Sequence, residues 1–88
     1  MAHFIISYDL HFERHYQPVW NLLGRWGAVR LLESLWVATL DNTAAQVRDA
    51  LRTVSDNDDS IAVIELKTAD WACWKARTPG VEWLKKNL

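Results

Sequence analysis

Two stretches whose apolar residues recur every three or four positions, set among short apolar runs of strand length, confine this chain to a few layered α+β folds. In the first stretch Tyr16, Val19, Trp20, Leu23 and Trp26 share one helix face. Pro18 fits a helix only in its first turn, where the missing N–H costs little, so this helix begins near His15 or Tyr16 and stops at Gly27. In the second stretch Thr43 and Gln46 have the spacing of a capping box. Val47, Ala50, Leu51 and Val54 make the buried stripe, while Arg48, Asp49 and Arg52 face away, and the polar turn Asp56-Asn57-Asp58-Asp59 ends the helix.

The strands lie between and around these helices. Phe4-Ile5-Ile6-Ser7-Tyr8 reads as a buried first strand that ends at Asp9. Ala28 to Leu40 is rich in Val, Leu and Trp, but Glu33-Ser34 interrupts it, so two strands meet there. Ile61-Ala62-Val63-Ile64 is unbroken, as expected for a strand that is central or covered on both faces. The resulting order, βαββαβ, predicts a ferredoxin-like antiparallel sheet with two helices on one face. The other face is left open. Thr78 as N-cap and Pro79 at the first helical position predict a short final helix in a Trp-rich tail that seals a sheet, its own or a partner's. A single domain over residues 1–88 is expected, with its core about 3–66 and its tail 67–88.

Eighty-eight residues suffice for one core but not for a deep cleft between lobes, which favours a site built between subunits. Half of the residues are hydrophobic and six are Trp, a heavy apolar load for so small a domain, and part of it is expected in an oligomer interface. Trp36, Trp71, Trp74 and Trp83 are the interface candidates; Trp20 and Trp26 belong to the helix stripe. Cys73 is the single cysteine, which excludes an internal disulfide and a cysteine-cluster zinc site. No run approaches the roughly 20 apolar residues needed to span a bilayer, and no targeting signal is visible. A cytoplasmic protein without membrane attachment is expected. A net charge of −1 gives no general attraction to nucleic acid, so any basic face depends on how Arg14, Arg25, Arg30, Arg48 and Arg52 are distributed, with Arg14, Arg48 and Arg52 the candidates for phosphate.

Asp9 is the foremost candidate for chemistry. A carboxylate at the C-terminal end of a buried strand is held by a stiff sheet yet faces solvent, where it can take a metal ion without crossing the core. The competing reading is that Asp9 caps the turn or helix that follows. His11 and His15 are four apart but lack the His-Glu-x-x-His order of metalloproteases. Asp56, Asp58 and Ser60 imitate the first positions of a calcium loop, yet Ile61 replaces the required Gly and Lys67 the bidentate Glu, so calcium is rejected.

Tyr8-Asp9, Arg14, Gly27, Glu33-Ser34 and Asp56-Asn57-Asp58-Asp59-Ser60-Ile61, in that order over roughly residues 3 to 66, resemble the CRISPR-associated Cas-two family. The resemblance implies a ferredoxin-like homodimer, a divalent-metal-dependent endonuclease acting on RNA or DNA, or a scaffold for the integrase that captures new spacers. It places the essential carboxylate on Asp9, repeated across a twofold axis, with Mg²⁺ or Mn²⁺ joining two carboxylates that would otherwise repel. The tail departs from the family, whose members often end in a strand exchanged between subunits. A diverged stand-alone member, and kinship with ferredoxin-like toxin ribonucleases, stay open beside it.

Overall fold

The computed structural model describes residues 1–10 and 16–88. Among them the chain runs β1 (Ala2–Asp9), α1 (Tyr16–Arg25), β2 (Val29–Leu32), β3 (Leu35–Leu40), α2 (Ala44–Arg52), β4 (Ser60–Leu66) and α3 (Thr78–Asn87). The strands form one four-stranded antiparallel sheet in the order β2-β3-β1-β4, an α+β architecture with three helices. Arg14, His11 and His15 lie outside the described residues.

Local chemistry sets the element ends. Gly27 adopts φ 73, the left-handed conformation that glycine enters without a Cβ penalty, and Ala28 N–H closes back on the Leu23 carbonyl at 3.0 Å. In α2 both halves of the capping box form: Gln46 N–H donates to Thr43 Oγ1 at 3.2 Å, and Thr43 N–H donates to Gln46 Oε1 at 2.9 Å. The expected cap of α3 is one residue out. Arg77 occupies the N-cap without a side-chain capping bond, and Thr78 is already helical, followed by Pro79.

Alternation along β1 sorts its side chains between two faces. Phe4, Ile6 and Tyr8 point to a core shared with Trp36, Ala38 and Leu40 of β3, Val19 and Leu23 of α1, and Val47 and Leu51 of α2. The opposite face is covered in part by α3. Val37 and Leu84 are buried there, and the Trp83 ring meets the His3 ring edge-on at 5.3 Å between centroids. Gly80 lets α3 come this close: a Cβ on it would stand 2.6 Å from Leu31 Cα and 2.7 Å from the Arg30 carbonyl oxygen. The tail therefore covers its own sheet.

The expectation for β4 is corrected. Ile61-Ala62-Val63-Ile64 is neither central nor covered on both faces; β4 pairs only with β1 and forms a sheet edge. Ile61 and Val63 pack on the core, whereas Ala62 and Ile64 are exposed, Ile64 by 55%. An unbroken apolar run reports that neither face repels apolar neighbours, not that both are filled.

Candidate functional site

Asp9 closes β1 opposite Ser60, the first residue of β4, and is exposed. It shares the face of Ile5 and Ser7, away from the α1–α2 core. Ser7, Asp9, Ser60 and Ala62 border a shallow depression of about 150 Å³. Among the described residues no N–H group donates to the Asp9 carboxylate; residues 11–15, which the capping reading concerns, lie outside them. No three His, Cys, Asp or Glu side chains converge anywhere among the described residues. Among the described residues Asp9 is the one carboxylate at the depression, too few for a calcium cage or zinc site but compatible with Mg²⁺, which is commonly held by one or two carboxylates plus waters and substrate phosphate.

Along this face an apolar strip continues from the depression. Ile5 stands opposite Ile64, Ser7 opposite Ala62 and His3 opposite Leu66, and this β1–β4 half of the face carries the exposed Ile64. The helix α3 packs instead on the β2–β3 half.

Tyr8, the neighbour of Asp9, points the other way and organises an aromatic cluster. Its hydroxyl oxygen accepts the indole N–H of Trp20 at 2.7 Å and that of Trp36 at 3.0 Å. Tyr16 stacks on Trp20 with ring centroids 5.5 Å apart and planes inclined by 16°. The Arg30 guanidinium lies between the two indoles, 4.6 Å from the Trp20 ring centroid and 4.7 Å from that of Trp36. Trp36, expected at an interface, is therefore a core residue whose polar atom is already committed to Tyr8.

Arg48 and Arg52 are brought together at a groove of about 520 Å³ between the end of α2 and the following turn. The groove is of mixed sign. Asp49, Asp56 and Asp59 also line it, and Arg48 is paired with Asp49 at 3.0 Å on the exposed surface. Asp59 further braces the turn by accepting the Asp56 N–H at 2.8 Å. The groove reaches Ile61, which also borders the Asp9 depression, so both features lie at one end of β4, the groove on the helix side and Asp9 on the opposite face.

No protein-family model matches the sequence. Its fold is similar to the crystal structure of a hypothetical protein, TT1823, from Thermus thermophilus, with a TM-score of 0.73 and 17% identity over 86% of this chain and 94% of that one. At that identity the likeness shows the fold alone. The shared architecture extends over nearly the whole of both chains.

The remaining tryptophans differ in setting. Trp83 is half-buried against His3 within the chain, Trp71 is half-buried, and Trp74 is 84% exposed, with Lys75 Nζ 5.7 Å from its ring centroid. Cys73 is exposed. The sequence offered Arg30 only as one of several arginines that could share a basic face, and it singled out no role for Arg77. The available signal was a lone charge inside the apolar run Val29-Arg30-Leu31-Leu32, a position where an unpaired arginine is costly unless something receives it.

Proposed function

We propose that this chain is a Cas-two-like protein that works as a homodimer on phosphodiester nucleic acid, with Asp9 as the metal-holding carboxylate of a divalent-metal-dependent endonuclease. The observation that carries the reading is the exposed Asp9 carboxylate at the end of β1, on the half of the sheet face that α3 meets only near His3. A second copy seated on the Ile5–Ile64 strip would bury that strip and bring the partner's Asp9 toward the same axis. Two carboxylates facing each other favour a bound cation. Mg²⁺ or Mn²⁺ held there would supply a more acidic water and offset charge on the scissile phosphate. The placement of β1 between β3 and β4, with β2 outermost, supports the ferredoxin-like arrangement that the sequence resemblance implies.

A second reading, a non-catalytic nucleic-acid or integrase-binding scaffold, is favoured by the single carboxylate that the described residues bring to the depression and by the mixed charge around Arg48 and Arg52. One experiment separates the two. Purified protein is incubated with single-stranded RNA and with DNA in Mg²⁺ or Mn²⁺. The nuclease requires added metal, is silenced by chelator, and loses cleavage in Asp9→Asn while binding persists. Equal cleavage by wild type and Asp9→Asn removes Asp9 from the chemistry, and binding without cleavage by either supports the scaffold.

A further inference from the structure

Beyond Asp9, the arginine held between Trp20 and Trp36 has capacity that the fold does not use. The Arg30 guanidinium carbon stands over both indole rings, 4.6 Å from the Trp20 centroid and 4.7 Å from that of Trp36, which leaves its N–H groups as the means of binding anything else. Its Nε is buried with no hydrogen-bond partner, and among the described residues no carboxylate or carbonyl accepts from the side chain. The terminal amino groups, rather than the buried Nε, are what a ligand in the groove can reach, and an anion there would meet a cation to which no acceptor is bound among the described residues. The clamp also removes most of the rotamer freedom that a long arginine side chain gives up on binding, which favours a ligand that meets it.

Arg30 opens onto a groove of about 550 Å³ along the β2 edge, bordered by Ala28, Trp36, Arg77, Thr78 and Pro79. That volume is of the size that holds small organic ligands. Arg77 brings a second guanidinium, paired at 2.7 Å with Glu33, whose side chain is 81% exposed. An ion pair so open to water is readily exchanged for a better anion. Two guanidinium groups match the roughly twofold negative charge of a phosphate monoester at neutral pH, whereas one carboxylate would leave a charge unmatched. Arginine forks also fit the oxygens of phosphate in pairs.

We propose that the β2-edge groove binds the phosphate monoester of a ligand of mononucleotide size, with Arg30 as the fixed anchor and Arg77 as the exchangeable one. This site is separate from Asp9, which lies on the opposite face of the sheet, and it stands or falls independently of nuclease activity.

The test uses the full chain and the indole N–H resonances of Trp20 and Trp36 as reporters in ¹H–¹⁵N spectra. Uridine 5′-monophosphate is expected to move both resonances saturably, and uridine is expected to leave them in place. Arg77→Gln, a change at the surface that should leave the melting temperature unaltered, is expected to weaken binding about tenfold. Arg30→Lys retains a charge but not the fork and is expected to weaken it further; should that variant not fold, Arg77→Gln decides alone. A 5′-phosphorylated trinucleotide that binds as tightly as the monophosphate assigns the site to a strand end, and its exclusion assigns the site to a free nucleotide. Absence of saturable shifts with the monophosphate, equal binding of uridine, or unchanged affinity in Arg77→Gln would each overturn the proposal.

Discussion

Tyr8 and Asp9 are consecutive yet serve opposite faces. Tyr8→Phe would remove the one oxygen that accepts both the Trp20 and Trp36 indole N–H groups, leaving two donors in a largely buried cluster. A loss of about 1–3 kcal/mol is expected from urea unfolding, with no change in backbone fold. Asp9→Asn should behave differently, because Asp9 is exposed and receives no hydrogen bond among the described residues. Its unfolding free energy should stay within about 0.5 kcal/mol of wild type; a loss near 1 kcal/mol would instead restore the capping reading. Asp9 was legible because a carboxylate ending an apolar strand stands out in one dimension. The Tyr8–Trp20–Trp36–Arg30 cluster was not, since its members come from β1, α1, β3 and β2 and meet only after the sheet has formed.

Elements with a local chemical signature were read closest to their true limits. The capping box starts α2, Gly27 turns the chain after α1, and Glu33-Ser34 separates β2 from β3. These depend on neighbours a few residues away. Coverage depends on the rest of the molecule, which is why the apolar run of β4 misled: the sequence does not reveal that α3 chooses the β2–β3 half of the face. Two substitutions probe these levels. Thr43→Ala should cost about 1 kcal/mol through loss of the cap. Gly80→Ala should be destabilising by about 1–3 kcal/mol despite the better helix propensity of alanine, because its methyl meets backbone atoms of Arg30 and Leu31 that cannot rotate aside. Thermal melts of the two variants test both, and an unchanged Gly80→Ala melt would mean that α3 does not seat as closely as described.

At the scale of the whole molecule, the half-covered sheet face is the feature that asks for a second copy. Light scattering should report twice the 10.2 kDa chain mass. Ile64→Glu, which places a charge in the exposed strip, should return a folded monomer that has lost any metal-dependent cleavage. A dimer that survives this change would have its seam elsewhere, with Trp74 the next surface to test.

The position of β4 at the rim has one more consequence, for the chain's behaviour in a crowded solution. Beyond its pairing with β1, the strand presents backbone groups with which another strand could pair, and its sequence Ser60-Ile61-Ala62-Val63-Ile64-Glu65-Leu66 suits such pairing. Glu65 is the only ionised side chain along that border. A single negative charge thus guards the rim, because an incoming strand would have to take Glu65 out of water.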